Sequence, residues 1–141
     1  MKPFEIAYRE KPPPHKAYHL LFETTGWNKV YRASPQQLSQ AISGSWYVLS
    51  AYDNDELIGF GRVVSDGMLY ALICDLIVKP SYQGQGIGSH LLEKLIEKCY
   101  QEKIRVIWLF SARSKSSFYQ KFGFLERPAD APGMQILTTA D

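Results

Sequence analysis

Apolar residues occupy alternate positions over residues 4–8, the spacing that predicts a half-buried β-strand. Pro12–Pro14 ends this strand, because proline cannot donate a hydrogen bond to a sheet. Tyr18, Leu21 and Phe22 follow at helical spacing and predict a short amphipathic helix. The chain is therefore expected to begin with one strand and one helix.

A second helix is predicted to begin just after Ser34. Serine is a favoured N-cap, Pro35 suits the first helical position, and Gln37 is placed to complete a capping box. The predicted buried face of this helix consists of Leu38, Ala41 and Ile42.

The middle of the chain is rich in β-branched and aromatic residues and contains three strand candidates. They are Trp46–Tyr52, Leu57–Ser65 and Met68–Lys79. The intervening Asp53–Asp55 and Asp66–Gly67 are typical of turns. Because short turns join antiparallel neighbours, we predict a three-stranded meander.

Helices and strands alternate in the remainder of the chain. A glycine cluster precedes a helix whose apolar residues are Leu91, Leu92, Leu95, Ile96 and Cys99. The later candidates are a strand Ile104–Phe110, a helix Ser116–Phe122, and closing strands Phe124–Leu125 and Met134–Leu137. A strand, a helix and a strand in series should make Met68–Lys79 and Ile104–Phe110 parallel neighbours. The order predicts an α+β fold with a mixed, mostly antiparallel central sheet flanked by helices.

Composition narrows the classes of function. A length of 141 residues, 45% of them hydrophobic, predicts a single domain over residues 1–141. A formal net charge of +2 is too small and dispersed to favour a nucleic-acid partner. The polar start and the lack of an apolar run of roughly eighteen residues argue against export and membrane insertion. We expect a cytoplasmic protein in which Cys74 and Cys99 pack as small hydrophobic side chains.

Gly84, Gly86 and Gly88 lie between a predicted strand and a predicted helix. Glycine lets the backbone approach a ligand closely, and a helix start offers free N–H groups, so this segment predicts a phosphate site. The alternative is a turn that only links the two elements. A Walker loop is excluded because no lysine follows at the required spacing. A dinucleotide site lacks the acidic residue expected at the end of the next strand.

Three segments match one set of motifs in order and spacing. Gln83–Gly88 fits Q/R-x-x-G-x-G/A, Asp75–Pro80 fits the central strand before it, and Phe118–Phe124 fits F-Y-x-K-x-G-F. From about Trp46 onward the chain thus resembles the GCN5-related N-acetyltransferase (GNAT) family, whereas the N-terminal third matches in layout only. The resemblance implies the acyl-CoA N-acyltransferase (GNAT) fold. It also implies direct transfer, in a ternary complex, of the acetyl group of acetyl-CoA to an amine of a small molecule.

The same resemblance implies where acetyl-CoA binds as co-substrate. Backbone N–H groups of the glycine segment would hold the pyrophosphate, and the preceding strand would splay from its parallel neighbour and pair with the pantetheine arm. A backbone N–H near Ile77 would polarise the acetyl carbonyl. The implied cofactor-binding residues are Leu76, Ile77, Val78, Gln83, Gly84, Gln85, Gly86, Ile87, Gly88, Ser89 and Tyr119. No metal is expected.

Tyr119 and Asp75 are the expected catalytic residues. Tyr119 matches the family tyrosine that protonates, or only hydrogen-bonds, the departing thiolate, although periodicity alone also fits a core aromatic. Asp75 enters the site on the central strand and is the candidate base for the acceptor ammonium. A structural carboxylate at a bulge is the alternative interpretation of Asp75. Glu23 is a second candidate base.

The acceptor itself stays open. The aromatic residues of the N-terminal region either surround an aromatic or alkyl amine or build the core, and they are Phe22, Trp27, Tyr31, Trp46 and Tyr47. The alternatives to a small-molecule enzyme are a non-catalytic acyl-CoA sensor and an acetyltransferase for a protein lysine or N-terminus. The resemblance also implies a homodimer through edge strands, with Met134–Leu137 as one candidate edge.

Overall fold

The computed structural model describes residues 5–138. These residues form two compact units, the first ending at Leu109 and the second beginning at Phe110. A single domain over residues 1–141 stays a prediction. Phe4, the first apolar position of the predicted opening strand, lies outside the described residues.

A five-stranded sheet in the order β1-β2-β3-β4-β5 forms the first unit. Its strands are β1 Ile6–Arg9, β2 Tyr47–Asp53, β3 Glu56–Ser65, β4 Tyr70–Val78 and β5 Val106–Leu109. The strands β1 to β4 pair antiparallel, and β5 pairs parallel to β4. The predicted mixed, mostly antiparallel sheet is therefore confirmed. The strand β5 is parallel to β4 because the helix Ile87–Gln101 returns the chain to the end of the sheet at which β4 begins.

Four helices of the first unit flank this sheet in the described residues, namely α1 His15–Glu23, α2 Asn28–Tyr31, α3 Pro35–Ser43 and α4 Ile87–Gln101. A short 3₁₀ segment, Pro80–Tyr82, precedes α4. The helix α4 packs on β2, β3 and β4, whereas α1 packs on α3, β3 and β4. Within residues 5–138, no helix has the length and hydropathy that a membrane crossing requires.

The start of α3 follows the predicted capping box. The backbone N–H of Gln37 donates to Ser34 Oγ at 3.1 Å, and the backbone N–H of Ser34 donates to Gln37 Oε1 at 2.9 Å. The predicted inward face is partly wrong, because α3 buries Ser39 and leaves Ala41 exposed. Packing against α1 decides this rotation, and the periodic pattern of α3 alone does not encode it.

Each face of the sheet has its own set of buried residues. On the α1 face, Tyr18 and Phe22 pack with Phe60 and Ile77 of the sheet. The α4 helix contributes Leu91, Leu92 and Leu95, all fully buried. Each such leucine adds about 1.5–3 kcal/mol of hydrophobic stabilisation. The two helical layers therefore hold β3 and β4 between them, where the candidate site begins.

The second unit contains α5 Ser116–Gln120, and Gly123 follows it in the left-handed region with φ +97°. The predicted strands Phe124–Leu125 and Met134–Leu137 are wrong, because the described residues after Leu109 contain no strand. Met134 and Ile136 are 86% and 88% exposed. Alternating apolar residues form a strand only where a neighbouring strand supplies hydrogen bonds, and local sequence does not specify that neighbour.

Candidate functional site

A β-bulge interrupts β4 where Asp75 and Leu76 lie opposite the single residue Gly61 of β3. Asp75 has φ +54°, a left-handed conformation that aspartate adopts more readily than most residues. Gly61 fits because a Cβ there would lie 2.7 Å from Cδ1 of Leu95 and 3.3 Å from Cδ1 of Leu76. The α4 helix therefore packs so closely on the sheet at this point that only glycine fits without displacing a side chain. We refer to Gly61, Asp75 and Leu76 as the bulge.

The strand β4 extends beyond its partner β5. Their pairing runs from Tyr70 with Val106 to Ile73 with Leu109, whereas β4 continues to Val78. In the register that the structure gives, residues 74–78 therefore have no β5 partner. Their main-chain groups on that side suit an extended ligand that pairs like an added strand. Leu76, Ile77 and Val78, predicted to bind the pantetheine arm, all lie in this segment.

Residues 83–88, which we call the glycine turn, lead from the 3₁₀ segment into α4. Gly84 and Gly86 have φ values of +79° and +83°, and a Cβ built on either would meet nothing within 4 Å. Gly86 is the N-cap of α4 and has no side chain to satisfy the first N–H groups of the helix. Ile87 points into the core, while Ser89 is half-buried. Unpaired N–H groups at the positive end of a helix dipole form a suitable anion site.

Two hydrogen bonds anchor the glycine turn and the 3₁₀ segment before it to the sheet. Nε2 of Gln83 donates to the carbonyl oxygen of Val78 at 2.9 Å, which ties the turn to the end of β4. The hydroxyl of Tyr82 donates to Oδ2 of Asp53 at 2.5 Å, and this bond raises the pKa of Tyr82 to about 12. The end of β4, the 3₁₀ segment and the glycine turn are therefore held together at the start of α4.

Asp75, the predicted base, is engaged in an ion pair. Nε of Arg62 donates to Oδ2 of Asp75 at 2.5 Å, and both side chains are less than one fifth exposed. The hydroxyl of Tyr18 is buried nearby. Burial first, and the charge of Asp75 second, raise the pKa of Tyr18 far above its usual value. Arg62 was missed from the sequence, although an arginine inside the apolar run of β3 was a signal.

Tyr119 lies in α5 of the second unit. Its ring packs edge-on against the rings of Phe118 and Phe124, with ring centroids 5.1 Å and 6.3 Å away, respectively. Burial raises the pKa of Tyr119, so the phenol keeps its proton at neutral pH. The side chain thus has the protonation state that a hydrogen-bond donor requires.

The aromatic residues predicted near the acceptor do not form one cluster. Phe22 and Trp27 pack edge-on beside α1, with centroids 5.8 Å apart. Trp46 and Tyr47 instead lie next to Lys98 of α4. The ring centroids of Trp46 and Tyr47 are 5.8 Å and 5.6 Å from Nζ of Lys98. Phe22 is buried in the core, whereas Trp46 and Tyr47 are half-buried and Tyr31 is exposed. Their contact with an acceptor stays a prediction.

Glu23, the second candidate base, has local partners. Its Oε1 accepts a hydrogen bond from Nδ2 of Asn28 at 2.9 Å and lies 3.3 Å from Nε2 of His19. Among the described residues, no group of three or more histidine, cysteine or acidic side chains is arranged to hold a metal ion. Glu23 therefore lies at the end of α1, with partners from its own region of the chain.

Comparison with known proteins agrees with this geometry. A family model described as an acetyltransferase (GNAT) domain matches residues 20–132. Histone acetyltransferase TAP1 of Glycine max is 34% identical over 125 residues, which cover 81% of this chain and 53% of that protein. An uncharacterized N-acetyltransferase, ycf52 of Pyropia yezoensis, is 32% identical over 118 residues, which cover 81% of this chain and 66% of that protein.

A solved structure extends the likeness to the fold. The GNAT family acetyltransferase of Streptococcus pneumoniae TIGR4 is similar with a TM-score of 0.77 at 29% identity, over 96% of this chain and 99% of that chain. The expected GNAT fold is therefore confirmed. The chain spans between about half and two thirds of the length of the two curated relatives.

Proposed function

The chain belongs to the GNAT family of acetyltransferases, and we propose that it transfers the acetyl group of acetyl-CoA to an amine of a small molecule. Transfer occurs in a ternary complex, in which the amine nitrogen attacks the thioester carbonyl directly. Acetyl-CoA is a co-substrate in this reaction, and the proposal includes no metal. Location in the cytoplasm and assembly as a homodimer stay predictions.

One observation carries the proposal. The segment of β4 that extends beyond β5, residues 74–78, leads through the 3₁₀ segment Pro80–Tyr82 into the glycine turn at the start of α4. An extended pantetheine arm can pair with the first feature while its pyrophosphate meets N–H groups at the second. A simple phosphate site would need the glycine turn alone. The proposed contacts involve Leu76, Ile77, Val78, Gln83, Gly84, Gln85, Gly86, Ile87, Gly88, Ser89 and Tyr119.

The chemistry places two demands on the protein. The amine must be neutral to attack the carbonyl carbon, and the sulfur must leave as a thiol or a stabilised thiolate when the C–S bond breaks. A backbone N–H near Ile77 is the proposed donor to the developing oxyanion. Tyr119 is the proposed donor to the sulfur. A water molecule or a side chain removes the ammonium proton before attack.

Energetics favour a hydrogen bond over full proton transfer from Tyr119. The reference pKa values of tyrosine and of a thiol are about 10 and about 8.5, so complete transfer to the thiolate is uphill by about 2 kcal/mol. Burial raises the pKa of Tyr119 further, which increases that cost. A hydrogen bond to the thiolate requires no such transfer. We propose that Tyr119 stabilises the leaving sulfur in this way.

The proposed function is tested by release of free thiol from acetyl-CoA across a panel of acceptors. The panel contains arylalkylamines, polyamines, an aminoglycoside, a lysine peptide and a peptide with a free N-terminus. Thiol release that depends on a small amine is the expected result. Intact acetyl-CoA binding without stimulation by any acceptor would instead identify a non-catalytic sensor.

Replacing Tyr119 by phenylalanine tests its role. The ring packing is kept, so the variant should fold, while kcat should fall about tenfold or more because a hydrogen bond to the sulfur is lost. The pH dependence of kcat should keep its shape if Tyr119 only donates a hydrogen bond. Full turnover in Tyr119→Phe would remove this residue from the mechanism. Phe118→Leu provides a control for altered packing in α5.

A protein acceptor is the second candidate function. It is favoured by the similarity to a relative named histone acetyltransferase, at 34% identity. The same panel separates the two candidates, because a protein acetyltransferase should turn over the lysine peptide faster than any free amine. A higher kcat/KM for the peptide would replace the small-molecule proposal with this one.

A further inference from the structure

We propose that Arg62 is a positioning residue, whose ion pair with Asp75 holds the bulge and thereby the main chain of β4 that receives the acyl arm of acetyl-CoA. The inference rests on the proposed function for the identity of the ligand. It assigns Asp75 a different role from that of the predicted base. Arg62 acts through the strand and has no proposed contact with acetyl-CoA itself.

The guanidinium of Arg62 links three parts of the first unit. Its Nε donates to Oδ2 of Asp75 at 2.5 Å. Its Nη1 donates to the carbonyl oxygen of Ala41 at 3.4 Å and to Oγ of Ser45 at 3.3 Å. The first contact is short and charge-assisted, and the other two are long and weak. One side chain thus connects the bulge to the end of α3.

The bulge needs such a connection because it determines which side chains of β4 face the core. Side chains alternate between the two faces of a strand, so loss of one bulged residue would turn every later side chain to the opposite face. Ile77, two residues after Asp75, is buried on the face of the sheet that α1 covers. The left-handed backbone at Asp75 carries a conformational cost that packing and the ion pair offset.

The same contacts argue against Asp75 as the base. Asp75 would have to accept a proton while Arg62 holds its carboxylate, and the guanidinium would then lose its charged partner in a half-buried place. An amine approaching as an ammonium would also meet the positive charge of Arg62. The structure instead gives Asp75 two properties that suit a bulge, namely tolerance of positive φ and a carboxylate for Arg62.

The test compares acetyl-CoA affinity, measured by calorimetry, among variants of the full chain. Arg62→Met removes the charge at similar length and should weaken binding on the order of tenfold. Arg62→Lys should lose less, because it keeps the charge but cannot donate to Asp75 and to the end of α3 in the same forked geometry. Glu56→Gln is the control, since Glu56 lies at the start of β3, the strand of Arg62, and the variant breaks only an exposed ion pair with Lys79. Unchanged affinity in both Arg62 variants would overturn the proposal.

Asp75→Asn separates positioning from base catalysis. Asparagine tolerates positive φ and keeps an oxygen that can accept from Arg62. If Asp75 only positions the strand, Asp75→Asn should raise KM for acetyl-CoA, keep kcat within about tenfold of the parent, and leave the pH profile of kcat unshifted. If Asp75 is the general base, kcat of Asp75→Asn should fall on the order of 10²- to 10⁴-fold. That larger fall, with a changed pH profile, would assign Asp75 as the base and refute this inference.

Failure of the proposed function would be distinguishable from failure of this inference. If no acceptor releases thiol, the affinity comparison still tests Arg62. If acetyl-CoA does not bind at all, the proposed function fails, and amide hydrogen exchange at Leu76 and Ile77 provides a readout that needs no ligand. Faster exchange there in Arg62→Lys or Arg62→Met, but not in Glu56→Gln, is the expected result. Equal exchange in all variants would show that Arg62 does not hold the bulge.

Discussion

The bulge and the glycine turn both depend on glycine, but for opposite physical reasons. At Gly61 of the bulge, a Cβ would lie 2.7 Å from a side-chain atom of Leu95, so the constraint is space. At Gly86 of the turn, a Cβ would meet nothing within 4 Å, but φ is +83°, so the constraint is backbone conformation. One site is part of the packed core and the other is open to a ligand.

Because of this difference, substitutions in the two places should affect different properties of the protein. Substitution at the bulge should act first on the free energy of unfolding, because close-packed interiors tolerate little extra volume. Substitution at the turn should act first on acetyl-CoA affinity, because the turn presents N–H groups and buries little.

Gly61→Ala should lower the free energy of unfolding by about 1–3 kcal/mol, since the added methyl group overlaps the fully buried Leu95. Urea denaturation measures the loss. Gly44→Ala is the matched control, because a Cβ there would make only ordinary contacts, at 3.7 Å and beyond, and φ is negative. Equal stability of the two variants would mean that Leu95 moves aside at no cost, and the contrast between bulge and turn would be lost.

Gly86→Ala should cost about 1–2 kcal/mol of stability, because an L-residue is strained in the left-handed region. Its acetyl-CoA affinity should fall at least tenfold, since relief of the strain turns N–H groups away from the anion. Gly26→Ala is the matched control, because Gly26 has φ +77° and an equally open Cβ position but lies outside the glycine turn. Calorimetry measures the affinity of both variants, and urea denaturation measures their stability. An equal loss of acetyl-CoA affinity in Gly26→Ala would contradict the role assigned to Gly86.

Tyr82→Phe should give the smallest change and a distinctive pH dependence. The hydrogen bond to Asp53 raises the pKa of Tyr82 in the folded protein to about 12 from its ordinary 10.0. A raised folded pKa adds stability that is fully present below pH 10 and is lost as the pH rises toward 12. The urea midpoints of parent and variant should therefore differ at pH 8 and converge by pH 12. A constant difference across this range would rule out the hydrogen bond as the cause.

Local signals in the sequence predicted much of the first unit. The helix start at Ser34, the three antiparallel strands and the glycine turn before α4 each depend on residues close together in the chain, and all were confirmed. The closing strands, Phe124–Leu125 and Met134–Leu137, were wrong because strand formation depends on a distant partner. Ala41 was wrongly assigned to the buried face of α3 for a related reason, since contact with another helix decides the rotation.

By itself, the sequence determined the order of the five strands and of α1, α3, α4 and α5, the glycine-rich entry into α4, and the family of the chain. Each of these depends on residue type and short-range spacing, which steric and capping preferences convert into structure. Only the tertiary structure decided that Asp75 and Leu76 share one partner in β3 and that Arg62 meets Asp75. Strand register and ion pairing join residues that are distant in the chain, and they follow from packing between two helical layers.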